Sequence, residues 1–320
     1  MTPLIKTKPR CGAYGSRDNR CHIRPSLTKQ NRSGSMPSVD WLGEHRTGGS
    51  AAPEYSGGDI NEAYGLTTSD GQYLFLKTNR GKGAAFFAAE AAGLDAIART
   101  GAVGTPRILG YGNAFLLLEF LHGGKRAPDY WEILGHQLAD MHRAAASDYV
   151  NGAKYGFIRD NFIGEGTQIN TPHESWISFF RDCRLEPQFR RAARWFDSGD
   201  SRRIARLLDH MDAFLTEPDQ PSLLHGDLWA GNVITGNDGR AWLIDPAVYV
   251  GHAEADIAMT ELFGGFPAAF YGAYRESGML RADYTERRGL YNLYHLLNHL
   301  NLFGGGYLSS VKRILAEYVS

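Results

Sequence analysis

The chain is 320 residues long, with 34 Lys+Arg against 35 Asp+Glu and a formal net charge of −1 at pH 7. That length buries a substantial core in one large or two modest domains, and 43% hydrophobic with 22% charged residues excludes wholesale disorder. Near-neutral charge disfavours a general nucleic-acid binder, and the three cysteines (Cys11, Cys21, Cys183) form neither a disulfide framework nor a CxxC zinc pair, so a reducing, cytoplasmic setting is expected.

Residues 1–38 carry Lys6, Lys8, Arg10, Arg17, Arg20, Arg24, Lys29 and Arg32 against the single acid Asp18, with no helical or strand period. They are expected to be a disordered basic tail, an upstream extension if translation begins at Met36. They lack an apolar signal segment. From Val39 structure begins, with a short helix over Trp41–Arg46 and turns over Thr47–Pro53. A strand–glycine turn–strand pattern spans Tyr55 to Tyr64 around Gly57-Gly58, and a second hairpin signal falls at Asp70-Gly71. Gln72–Thr78 alternates, placing Tyr73, Phe75 and Lys77 on one face and Leu74 and Leu76 on the other. Ala84–Thr100 is expected to be a helix stopped by Gly101, followed by strands Ile108–Gly112 and Ala114–Leu121. His122-Gly123-Gly124 makes a joint, dividing an N-terminal lobe (39–121) from a C-terminal lobe (122–320).

Beyond the joint the pattern is mainly helical: Tyr130–Ala145, His173–Cys183, Ser201–Thr216, Ala255–Phe263, Pro267–Ser277, Thr285–Phe303 and Ser309–Tyr318. The interruption, Ser222–Asp245, holds two short apolar strands around a glycine-bearing loop. The charge-free run Gly289–Val311 is long enough for a membrane span, yet its Asn292, His295, Asn298, His299 and Asn301 exclude one. The expectation is an α+β, two-lobe chain: a small antiparallel sheet with one main helix, then a larger helical lobe, with a cleft between.

The chemistry concentrates in Leu224-His225-Gly226-Asp227-Leu228-Trp229-Ala230-Gly231-Asn232 and Ile244-Asp245-Pro246. Phosphoryl transfer needs a carboxylate to orient the acceptor hydroxyl and take its proton, and an amide with a second carboxylate to hold Mg²⁺ against nucleotide phosphates. Asp227, Asn232 and Asp245 have that order and spacing. Any one of them alone is as well explained by a polar turn or a strand end. Upstream, Glu90 falls on the stripe Phe87, Leu94, Ile97, where an ionised carboxylate is costly unless a cation meets it. Lys77 is the available cation, matching the pair that positions ATP phosphates in kinases; otherwise Glu90 is a surface residue of an alanine-rich helix. Gly57-Gly58 would let backbone N–H groups approach phosphate, although Gly-Gly in a hairpin is by itself only a turn signal. The backbone of Glu119 to Leu121 would meet adenine. There is no G-x-x-x-x-G-K-[ST] and no G-x-G-x-x-G, excluding a P-loop NTPase and disfavouring a Rossmann dehydrogenase.

From Val39 onward the chain resembles the fructosamine kinase (ketosamine 3-kinase) family, within the kinase-like aminoglycoside-phosphotransferase superfamily. The residues carrying the resemblance are the His225–Asn232 and Ile244–Ala247 segments and Glu254 to Phe266. Tyr155-Gly156-Phe157, Asp160 to Gly164, Trp176 to Gln188 and Tyr291 to Gly305 match as well. The resemblance implies a protein-kinase-like fold and ATP- and Mg²⁺-dependent phosphorylation of the 3-hydroxyl of fructosamines and ribulosamines, on small amines or proteins, with later loss of the sugar. It further implies Asp227 as base, Asn232 and Asp245 as metal ligands, and Lys77 with Glu90 as the phosphate-positioning pair. Some members carry a cysteine in the glycine-rich loop; Gly57-Gly58-Asp59 has none, so no redox switch is expected there. Other readings are a different hydroxyl kinase of the superfamily, acting on an aminoglycoside, choline or free sugar, and an inactive nucleotide-binding module.

For the acceptor, Trp229 beside the base is a candidate to stack on a sugar face. On Thr285–Phe303, the neutral polar groups Asn292, His295, Asn298 and His299 suit sugar hydroxyls, or else an interior helix whose side chains satisfy neighbouring backbone. Trp176 and Arg184 are further cleft candidates. Asp256 is expected to brace the catalytic loop, and His225 to pack rather than catalyse.

Overall fold

The computed structural model describes residues 61–68 and 70–319. The basic tail, the Trp41–Arg46 helix, the Thr47–Pro53 turns and the first arm of the glycine hairpin, with Gly57 and Gly58, lie outside the described residues.

β1 (Glu62–Thr67) and β2 (Tyr73–Thr78) form an antiparallel hairpin whose turn places Gly71 at φ 82°. β3 (Ile108–Tyr111) and β4 (Phe115–Glu119) complete a four-stranded antiparallel sheet in the order β1-β2-β4-β3. Register pairs Phe75 with Leu118 and Lys77 with Leu116, so the lysine shares its face with a leucine layer. Helix α1 (Ala84–Thr100) lies on that face and stops at Gly101, whose φ of 66° is left-handed and whose N–H reaches the Ala98 carbonyl. Phe86, Phe87, Ala91 and Leu94 of α1 meet Leu116 and Leu118 of β4 in a small core of their own.

The remainder is mostly helical: α2 (Tyr130–Arg143), α3 (Trp176–Phe179), α4 (Glu186–Arg191), α5 (Ser198–Asp209), α6 (Glu254–Leu262), α7 (Ala268–Glu276), α8 (Tyr284–Phe303) and α9 (Leu308–Tyr318). They bury a second, larger core that includes Leu134, Leu138, Leu223, Leu228, Tyr249 and Leu297. No helix among the described residues is long and apolar enough to cross a membrane.

Three features differ from the sequence expectation. The helix expected to end at Cys183 continues to Arg191 through a turn of π-helix over Phe180–Leu185. Pro187 would ordinarily break it, having no N–H for the carbonyl of Cys183. Here the chain passes through a wider turn, and the Arg184 guanidinium donates to that carbonyl at 3.0 Å. Secondly, Ser222–Asp245 holds three strands, not two: β7 (Ser222–Leu224), β8 (Val233–Thr235) and β9 (Ala241–Leu243). β8 pairs with β9, whereas β7 pairs with β10 (Tyr249–Gly251). Thirdly, a hairpin of β5 (Asn161–Ile163) and β6 (Gly166–Gln168) was unforeseen; three-residue strands are too short to show a period.

Candidate active site

β7 delivers the chain into His225-Gly226-Asp227. Gly226 has φ 80°, and a Cβ there would lie 2.0 Å from the Ala247 carbonyl oxygen, so only glycine allows the two loops to touch. Buried Asp256, on α6, accepts from the backbone N–H of His225 at 2.7 Å and of Gly226 at 2.9 Å. It also meets His142 Nε2 at 3.2 Å, while His142 Nδ1 lies 2.8 Å from Tyr274 Oη. Although burial opposes ionisation, His142 and the backbone hydrogen bonds hold the Asp256 carboxyl below its ordinary range. His225 is fully buried, and burial lowers its pKa, leaving a neutral ring. Its hydrogen bonds assign the tautomer: Nε2–H donates to the Ile244 carbonyl at 2.9 Å, and Nδ1 accepts the Asp227 N–H at 3.3 Å. His225 therefore staples the backbone of Asp227 to the residue preceding Asp245.

Asp227, Asn232 and Asp245 line one cavity of about 680 Å³, together with Lys77 and Glu90. Asn232 is held in a short 3₁₀ turn, its Nδ2 donating to the Asp227 carbonyl at 2.8 Å and lying 3.4 Å from Asp227 Oδ2. Burial, with the charge of Asp245 adding to it, pushes the Asp227 carboxyl up to about 7. Asp245 sits at φ 54°, the one non-glycine residue with positive φ among the described residues. Aspartate tolerates this region better than most side chains. Lys77 Nζ lies 2.7 Å from Glu90 Oε1 and also pairs with Asp245. Burial alone would lower the lysine's pKa; Asp245 and Glu90 outweigh it and raise it, so the ammonium stays charged.

The cavity is also walled by Trp229, Phe263, Asn298, His299, Phe303 and Tyr307. The His299 ring is 4.8 Å from Phe263, 5.4 Å from Phe303 and 5.1 Å from Tyr307. Trp229 is 39% exposed, and its indole lies over Gly231, where a Cβ would come within 2.4 Å of the ring. The β5–β6 hairpin contributes Asn161, Phe162, Ile163 and Gly164 to the same cavity.

Other candidates lie elsewhere. Trp176 is fully buried between Phe180, Tyr291 and His252 and is a core residue, not a cavity wall. Arg184, also fully buried, donates to Ile169, Cys183 and Asn170 and stacks over the Tyr249 ring. His295 sits one turn inside Asn298 and His299 on α8; it is buried, away from the cavity, and burial drives its ring down to about 3. Asn292 is likewise buried outside the cavity. Glu119 and Leu121 are not among the cavity walls, and the Glu119 carboxylate accepts the Arg107 N–H at 2.7 Å. Sequence reasoning missed Phe263, Phe303 and Tyr307, although the i,i+4 pair His299/Phe303 on the last turn of α8 was the available signal.

Mg²⁺ fits this donor set. Asn232 commits its Nδ2 to Asp227, which keeps its amide oxygen as an acceptor, and Asp245 carries carboxylate oxygen, both hard ligands. Among the described residues no group of three or more His, Cys, Asp or Glu forms a cage, so phosphate and water would complete the shell.

The profile of the fructosamine kinase family matches residues 42–320. A protein-ribulosamine 3-kinase from Oryza sativa subsp. indica, chloroplastic by name, is 40% identical over 270 residues, 82% of this chain and 77% of that protein. The crystal structure of a candidate fructosamine-3-kinase from Thermobifida fusca is 34% identical, with a TM-score of 0.75 over 84% of this chain and 93% of that one. The aminoglycoside phosphotransferase APH(4)-Ia, solved with AMP-PNP and hygromycin B, shares the fold alone: 17% identity and a TM-score of 0.57 over 88% of this chain and 99% of that one.

Proposed function

The chain belongs to the fructosamine kinase family, and we propose that it transfers the γ-phosphoryl group of ATP to the 3-hydroxyl of ketosamines, the fructosyl or ribulosyl adducts of small amines or proteins. The observation that carries this reading is the meeting of Asp227, Asn232, Asp245 and Lys77 in one cavity beside the Trp229 wall. Asp227 orients the sugar hydroxyl and takes its proton as the oxygen–phosphorus bond forms and the bond to the β-phosphate oxygen breaks, releasing ADP. A carboxyl poised near 7 is well matched to accept that proton near neutral pH. Lys77, held by Glu90, offers its ammonium to the phosphates. Asn232 and Asp245 would hold Mg²⁺, which supplies charge neutralisation for the phosphates. Trp229 and Asn298 face the acceptor, one offering a ring surface and the other hydrogen bonds. The cysteine usage supports a reducing compartment such as the cytosol. The family match disfavours an aminoglycoside or choline acceptor.

The test is ADP release with ribulosyl-lysine or fructosyl-lysine against unglycated lysine, for wild type and Asp227→Asn. Turnover requiring the glycated amine and lost in the variant is expected. Turnover unchanged by the substitution removes Asp227 from the mechanism, and indifference to glycation removes the ketosamine.

A further inference from the structure

We propose that the β5–β6 hairpin and the segment after Asp245 together clamp α1 on either side of Glu90, and that Phe162 is a positioning residue for the Lys77–Glu90 pair. The inference rests on the kinase reading above and names residues to which neither the sequence motifs nor the family match gives a role. Phe162 belongs to the hairpin of the larger lobe, yet it packs against the small lobe's own core, its ring 5.0 Å from Phe86 on α1. Phe86 lies four residues before Glu90. Three residues after Glu90, Gly93 rests on the segment following Asp245: a Cβ there would be 3.1 Å from Pro246 Cγ and 3.3 Å from Val248 Cγ2. Positions i−4 and i+3 share a helix face with i. Glu90 is therefore flanked, one turn on each side, by contacts to the lobe that carries Asp227 and Asp245.

The hairpin is fixed to that lobe by buried amides. Asn161 Nδ2 donates to the Val248 carbonyl at 2.6 Å and Gln168 Nε2 to the Ala247 carbonyl at 2.9 Å. Gln168 Nε2 also donates to Asn161 Oδ1, and Tyr294 Oη donates to Gln168 Oε1 at 2.6 Å. Asn161 and Gln168 are 3% and 1% exposed, so loosening the network would strand polar groups away from water. Ala247 N–H in turn donates to the His225 carbonyl at 2.9 Å. Hairpin, metal-side aspartate and base thus form one rigid piece, and Phe162 is the apolar point where that piece presses on the glutamate's helix. Truncating Phe162 frees α1 to rotate, and the ammonium of Lys77 loses its fixed place relative to Asp245.

The experiment measures the AMP-PNP–Mg²⁺ dissociation constant, kcat and the acceptor KM for wild type, Phe162→Leu and Phe162→Ala, each also in a Glu90→Gln background, with a thermal melt for every variant. Phe162→Ala is expected to weaken nucleotide binding and lower kcat, each about tenfold, with the acceptor KM unchanged. Phe162→Leu should show a milder loss, and it carries the test if the alanine variant does not fold. In the Glu90→Gln background neither substitution should cost anything further, because the residue they position is gone. A lowered melt with unchanged nucleotide affinity and kcat overturns the proposal, as does a change confined to acceptor KM. Losses that add to those of Glu90→Gln overturn it too, since Phe162 would then act by direct contact. Wild type that fails to bind AMP-PNP overturns the kinase reading itself, and this proposal with it.

Discussion

Two aspartates, half-buried Asp227 within the His225–Asn232 loop and buried Asp256 beneath its backbone, experience opposite electrostatics. Asp256 accepts two backbone N–H groups and faces His142, and its carboxyl lies below the usual range. Asp227 has a single, long side-chain contact from Asn232 and the like charge of Asp245 nearby, and its carboxyl lies near 7. Burial acts on both. What separates them is that the first has its lone pairs satisfied by the fold, whereas the second is left for a ligand. On the proposed reading, stability and chemistry are divided between the two residues.

The largest expected effect removes the chemical member. Asp227→Asn should lower kcat about 10³-fold, within the span of general-base contributions, while AMP-PNP still binds. The same substitution should stabilise the fold, and the sign follows from linkage. The folded-state pKa of Asp227 is raised from 3.8 to about 7, so its penalty is absent below the unfolded value, grows as pH rises, and is complete above 7. Melting temperatures of wild type and variant should therefore converge towards pH 4, with the variant several degrees higher at pH 8. A variant that melts lower at pH 8 would show that Asp227 is satisfied by the fold after all.

Removing the structural member should reverse that pattern. Asp256→Asn sets an amide N–H₂ against backbone N–H groups, leaving a buried donor unmet at a cost of about 1–3 kcal/mol. The depressed pKa of Asp256 contributes stability above the unfolded value, lost only as pH falls through the folded one. The variant should thus be destabilised at pH 6 to 8 in urea titrations and lose part of its kcat through the displaced loop. Equal stability across that range would mean the loop holds its shape unaided.

How much of this was legible in the sequence follows the same division. The order Asp227, Asn232, Asp245 and the stripe placing Glu90 opposite Lys77 could be read because the chemistry fixes residue types and a helix fixes spacing. The helix over Ala84–Thr100 was legible to its last residue because Gly101 supplies the left-handed stop. The cavity wall proposed for the acceptor was legible only in part. A polar side chain on a long helix reads identically in sequence whether it faces a cavity or a packed neighbour, so His295 and His299 were indistinguishable until packing was known. The β5–β6 hairpin was invisible for a different reason. It is held by side-chain amides reaching residues about eighty positions away, and no local pattern encodes such a tie.

That ambiguity on α8 gives the next, smaller effect. His299→Ala should raise the acceptor KM severalfold and leave the melt nearly unchanged, since the ring faces the cavity. His295→Ala should lower stability by about 1–3 kcal/mol, as filled volume is lost from the interior, and leave acceptor KM alone. If instead His295→Ala moved KM alone, the inner histidine would have to reach substrate.

The smallest effect concerns a polar contact between the hairpin and the residues leading into α1. Lys82 Nζ lies 3.6 Å from Glu165 Oε2, and the two side chains are 23% and 52% exposed. It bridges the lobes as Phe162 does, but in water, where Coulomb attraction is screened and two long side chains must be ordered, so such pairs contribute about 0–1 kcal/mol. Lys82→Met should therefore leave nucleotide affinity, kcat and melting temperature within error at 0.15 M salt, a condition in which charges are screened over about 8 Å. Phe162→Leu, by contrast, removes an aromatic contact from a half-buried ring packed on the small core. Should Lys82→Met weaken nucleotide binding as much as Phe162→Leu does, lobe closure would depend on surface charge, and added salt would then have to weaken wild type in the same proportion.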